Sequence, residues 1–183
     1  MVRGHRPPVS LAIAAAALAA AAVALAACGP GRQGPTYPPA GATPVTATTE
    51  TAAAREAVVG ALASTALVIP ANSQPYRPPE GAWFAGAPRS IVELDAPAGG
   101  PVGYVVLYGF GSSADAATAA ADQAAFVSRA TSRVYFASDS HFVLRVLGSA
   151  VVFLTWSPAR DDARLAAVEQ ALDAVGQGVP IPA

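Results

Sequence analysis

The chain has 183 residues, of which 53% are hydrophobic and 13% charged, with a formal net charge of −1 at pH 7. That balance removes any electrostatic case for nucleic acid as a partner or for a polybasic membrane patch. A single cysteine excludes an intrachain disulfide.

In chain order, Arg3 and Arg6 form a basic start, and an unbroken apolar run from Leu11 to Ala27 follows, most of it alanine. At seventeen residues the run sits at the short end of the roughly 17 to 25 needed to span hydrocarbon, so it reads as an export signal rather than a permanent membrane helix. The small pair Ala26-Ala27 precedes Cys28, and a glycine and proline segment begins directly after it. Leu25-Ala26-Ala27-Cys28 resembles the lipobox of bacterial lipoproteins. The resemblance implies that residues 1–27 are a cleaved signal peptide, that Cys28 is thioether-linked to diacylglycerol, and that the new N-terminus is acylated. It also implies an extracytoplasmic domain held at the cell membrane or outer membrane by that lipid. Two or three acyl chains hold firmly where one does not, each buried methylene contributing about 0.8 kcal/mol.

Residues 28–49 read as the lipidated cysteine and a tether. Pro30, Pro35, Pro38, Pro39 and Pro44 are spaced so that neither helix nor ladder forms. Such a segment spans very roughly 25 Å as a coil and about 60 Å when stretched toward polyproline II, enough to lift a domain off a bilayer.

Residues 50–183 then read as one α+β domain. Val58, Val59, Leu62 and Ala66 repeat at helical spacing and predict a helix from about Thr51 to Leu67, ended by Pro70. A proline-rich loop over residues 71–88 carries Tyr76, Trp83 and Phe84. Strands are predicted over Ser90–Asp95 and Tyr104–Phe110, joined through Pro97-Ala98-Gly99-Gly100-Pro101. Ser112-x-x-Asp115 opens a helix running to about Arg129. Two further strands, His141–Leu147 and Val151–Trp156, flank Gly148-Ser149, a two-residue hairpin signal of type II′. A last helix has Ser157 as cap, Pro158 at its first position, Leu165, Val168, Leu172 and Val175 as its apolar stripe, and Gly176 as its stop. This order predicts a four-stranded, mainly antiparallel sheet, either in the order 1-2-4-3, as in a permuted ferredoxin-like sandwich with an added N-terminal helix, or with strands two and three side by side and parallel. The final two helices would cover one face, and the opening helix and the Trp83-Phe84 loop part of the other.

The candidates for chemistry are few. Gly109-Phe110-Gly111-Ser112-Ser113-Ala114 matches GxGxxA after a strand and before a helix, yet outside a doubly wound sheet it reads as a strand-to-helix turn with a capping serine. Ser138, Asp139, Ser140 and His141 supply relay residue types, but neighbours on one turn seldom align as a relay. His141, Val143, Arg145 and Leu147 share one strand face by alternation, where Arg145 is suited to a bound carboxylate or phosphate but more readily pairs with an acidic neighbour or solvent. Tyr76, Arg77, Trp83 and Phe84 gather hot-spot residue types on a surface loop. The Asp161-Asp162 pair is explained by a helix N-terminus rather than a metal, and neither a metal site nor a cofactor is expected. Two functions fit: a lipid-anchored, non-catalytic envelope domain that binds a protein or other envelope component, or a hydrolase or small-ligand enzyme using the His141/Arg145 face.

Overall fold

The computed structural model describes residues 48–97, 99–157 and 162–183. Cys28 and the tether up to residue 47 lie outside the described residues, and among the described residues no helix is long and apolar enough to cross a membrane. The fold is α+β, built on one antiparallel sheet.

The opening helix, α1, runs Thr49–Leu62 behind a capping box in which Thr48 and Thr51 bond each other's backbone N–H. It ends at Leu62, short of the expected Leu67. There the Ser64 and Thr65 hydroxyls donate to the Ala61 and Leu62 carbonyls, bonds that compete with continuing the helix. Val68 instead makes an isolated bridge to Asp95. A single helical turn, α2 (Ala82–Ala85), interrupts the proline-rich loop. It is followed by β1 (Arg89–Asp95), β2 (Pro101–Gly109) and α3 (Ser113–Ser128), with Ser112 accepting from the Asp115 N–H at 3.1 Å. After one more turn, α4 (Ala130–Arg133), come β3 (His141–Leu147) and β4 (Ala150–Trp156). Their hairpin has Gly148 at φ +59, the positive value that a type II′ turn requires at its first central residue. The last helix, α5, spans Ala163–Asp173 with Asp162 as its cap, not Ser157, and Gly176 at φ +63 stops it. The expected Pro158 start lies outside the described residues.

A fifth strand, β5 (Gln177–Val179), corrects the four-strand expectation. The sheet order is β1-β2-β4-β3-β5, every neighbouring pair antiparallel. The order of the first four strands is 1-2-4-3, one of the two that the sequence allows; β5 adds an outer strand and changes where the helices go. Two crossovers result: β2 to β3 through α3, and β4 to β5 through α5. They step in the same lateral direction but start from strands of opposite direction, so crossovers of one hand place their helices on opposite faces. That is the arrangement found, and it overturns the expectation that the final two helices share a face. Leu165, Val168 and Leu172 of α5 join Val58 and Leu62 of α1 against Leu94, Leu107 and Trp156 on one face. Ala116, Ala120 and Val127 of α3 join Phe84 against Tyr108, Phe142 and Phe153 on the other. With both faces covered, β4 is buried at every position from Ala150 to Trp156, matching its continuous apolar run.

Candidate functional site

The proline-rich loop is fastened to the sheet rather than displayed. Tyr76 stacks on Tyr104 with ring centroids 3.9 Å apart, and its hydroxyl meets the Thr155 hydroxyl at 2.9 Å. Burial pushes the Tyr76 phenol above its ordinary value, the Thr155 bond opposing this. Arg77 donates to Glu80 at 2.8 Å, and the same carboxylate, almost fully buried, accepts from Arg89 at 2.7 Å and from the Tyr108 hydroxyl at 2.6 Å. Burial, and behind it the Glu80 charge, hold the Tyr108 phenol well above its usual range. Gln123 accepts from the Gly81 N–H and donates to the Pro79 carbonyl, closing the loop onto α3. Trp83 and Phe84 are adjacent on one helical turn and so project about 100° apart. Phe84 is wholly buried, 4.1 Å centroid to centroid from Tyr108, whereas Trp83 is 46% exposed. The four candidate loop residues therefore do not form one binding patch: Phe84 is core, Tyr76 and Arg77 hold the loop, and Trp83 alone of the four is largely in solvent.

The GxGxxA turn is structural. A side chain at Gly109 would meet Thr48 Oγ1 at 3.0 Å and Thr51 Cγ2 at 3.1 Å, so this glycine lets α1 approach the sheet. Ser112 is engaged as the α3 cap.

His141 and Arg145 both face α5, as strand alternation requires. Arg145 is buried, and its guanidinium donates to the carbonyls of Val175 (2.7 Å), Asp173 (3.0 Å) and Gly176 (3.0 Å) and to Asp173 Oδ1 (2.7 Å). Four of its five N–H groups thus close the C-terminal end of α5, where unpaired carbonyls and the negative end of the helix dipole attract a cation. Arg145 thus pairs with an acidic neighbour, Asp173, rather than with an external anion, and neutral carbonyls of its own chain take its other donors. His141 Nε2 lies 2.6 Å from Glu169 Oε1 on α5, in place of any relay with Ser138 or Asp139.

Around these residues the β3–β5 edge opens into a cleft of about 790 Å³. Its apolar floor includes Phe142, Val179 and Ile181, and its polar rim Arg133, Ser140 and the His141–Glu169 pair. Arg133 lies 5.1 Å from the centroid of the Phe142 ring, a cation–π distance. Two smaller hollows of about 450 Å³ each flank α1. Glu169, Phe142, Arg133 and Ile181 escape the sequence reading. Ile181, an apolar residue between Pro180 and Pro182, is the one local signal that could have marked the cleft. Among the described residues no cluster of three or more metal-ligating side chains occurs.

Comparison with protein-family models, with curated proteins and with solved structures finds no match for this chain.

Proposed function

We propose that the protein is a lipid-anchored, extracytoplasmic binding domain whose cleft at the β3–β5 edge receives a segment of an envelope partner. The observation that carries the binding role is that cleft: apolar floor, polar rim, about 790 Å³, and open along a sheet edge. A site of this make-up suits an amphipathic ligand. The anchor is read from Leu25-Ala26-Ala27-Cys28, and the glycine and proline segment after it gives the domain reach from the bilayer. The alternative, an enzyme acting through His141 and Arg145, is disfavoured by the four hydrogen bonds that already occupy Arg145. In architecture, we read β1 to β4 as a permuted ferredoxin-like unit extended by β5, a reading supported by their order in the sheet.

Photo-crosslinking in intact cells tests the binding role. A photoreactive residue at position 181, in the cleft, should give discrete adducts, and one at exposed position 118 on α3 should give none. Identical adduct patterns from the two positions, or none from either, would reject the cleft as the binding site.

A further inference from the structure

A sheet has two edges, and this one treats them differently. Along β1, between Ile91 and Asp95, part of the outward main chain is bonded. The Ile91 carbonyl accepts from Arg55 Nη1 at 2.7 Å and from the Ser73 hydroxyl at 3.1 Å, the Glu93 N–H donates to Ser73 Oγ at 3.1 Å, and Asp95 exchanges both of its backbone bonds with Val68. Side chains and a one-residue bridge cover the Ile91–Asp95 stretch of that edge, one of the ways in which edge strands are protected.

The other edge is sealed over only part of its length. β5 pairs with Leu144, Arg145 and Val146, leaving His141, Phe142 and Val143 without an outer strand. The ladder stops at Val179, and Pro180 and Pro182 fall at positions that would face away from β3, where they leave the outer side of the tail without donors. Among the described residues no backbone hydrogen bond joins Phe142 to the tail at Ile181, the position that continuing the register would set opposite it. The hairpin fixes which way those groups point. Leu147 and Ala150 close a two-residue turn as a hydrogen-bonded pair, so Leu147, Arg145, Val143 and His141 bond inward to β4. Leu144 and Val146 then bond outward to β5, and the N–H and C=O of Phe142 point outward beyond the reach of the short strand. They do so into the cleft, which Phe142 itself lines.

The charges around this stretch are unevenly matched. His141 is paired with Glu169 and Arg145 with Asp173, whereas the Arg133 guanidinium on the rim rests on the Phe142 ring with no ion pair to a carboxylate among the described residues. We infer that the cleft takes an extended peptide segment of a partner protein as an added β-strand. The segment hydrogen-bonds the open N–H and C=O of Phe142, sets an apolar side chain against Phe142 and Ile181, and brings an acidic side chain to Arg133. This deepens the binding role proposed above and rests on it. Main-chain pairing supplies the attraction, and alternate side chains supply the selectivity.

The test is backbone amide exchange followed by NMR on the mature chain carrying Cys28→Ser, which stays free of lipid. The probe is the blocked peptide Thr-Glu-Val-Thr-Val-Glu-Thr, and the control is the same peptide N-methylated at alternate residues, which keeps the side chains and removes strand pairing. In the free protein the Phe142 amide should exchange at least about tenfold faster than those of Leu144 and Val146. Peptide at millimolar concentration should slow Phe142 by about tenfold and leave the β1 amides unchanged, while the N-methylated control does nothing. Arg133→Glu should weaken the peptide by about twofold to fivefold. Phe142 already as protected as Leu144 in dilute free protein, or unaffected by the peptide, overturns the inference. Equal binding of the N-methylated control also overturns strand addition but leaves the cleft as a binding site. Protection that grows with protein concentration alone would assign the edge to a second copy of the chain and overturn the partner peptide.

Discussion

Replacing Arg145 by methionine keeps an apolar stem and removes the guanidinium. Three carbonyls at the end of α5 and one carboxylate oxygen lose their donor. These losses are not equal. Asp173 is 75% exposed in its side chain, so its ion pair contributes at most about 1 kcal/mol. Asp173 and Gly176 are exposed residues, so water replaces the lost donor at their carbonyls and each loss costs about 0.5–1 kcal/mol. Val175 is buried, and its carbonyl, left without a partner, costs about 1–3 kcal/mol. The sum is about 2–6 kcal/mol, which for a domain of this size lowers Tm by roughly 5–20 °C. Urea titration at pH 7 should show the midpoint falling with an unchanged slope. Asp173→Asn should cost under about 0.5 kcal/mol, and Arg145→Lys should recover less than half of the loss, because one ammonium cannot bridge three carbonyls. If Arg145→Met costs below about 1 kcal/mol, or if Asp173→Asn costs as much, the assignment of Arg145 to the helix end is wrong.

Gly176→Ala should destabilise by at least about 2 kcal/mol in the same titration, since a Cβ there meets the Val146 carbonyl oxygen at 2.2 Å on a backbone at φ +63. Glu80→Ala should cost about 2–4 kcal/mol by thermal denaturation because it strands Arg89, whose side chain is 11% exposed, and Glu80→Gln, which keeps an acceptor for Tyr108, should cost less. Asp162, held down to about 2 by its hydrogen bonds from Arg164, has a lower pKa folded than unfolded. The cap it provides is therefore present above about pH 4 and lost as pH falls toward 2, and far-UV circular dichroism of Asp162→Asn should show a smaller change across that window than the parent. Desolvation, and then the Glu93 charge, raise the Asp95 carboxyl above its ordinary value, so its ionisation opposes folding; Asp95→Asn should gain stability at pH 7, and the gain should vanish at acid pH.

What the sequence made legible was whatever repeats at a fixed period. Alternation located β3, a continuous apolar run located β4, the Gly148-Ser149 turn joined them, and Ser112 and Gly176 marked helix ends correctly. β5 was hidden because Gln177-Gly178-Val179 is three residues long, has no alternation to detect, and is held as a strand by pairing with β3. Missing it concealed the second crossover and with it the face that α5 covers. The site was legible in part: His141 and Arg145 do share the α5-facing side of β3. Their partners Glu169, Asp173 and Val175 lie 28 to 30 residues away, a separation that no local pattern encodes. For the Tyr76–Phe84 loop, composition named the residue types that bind partners but not the buried Glu80 that turns them inward.

The proposed attachment of this domain to a membrane rests on one sulfur. Cells grown with a radiolabelled fatty acid, expressing either the parent chain or Cys28→Ser, give the most direct measurement. Label should enter the parent and leave it at its mature size, and no label should enter Cys28→Ser, whose domain from Thr48 onward remains folded because residue 28 lies outside it. Label incorporated by Cys28→Ser at the mature size, or no label in the parent, would contradict the account.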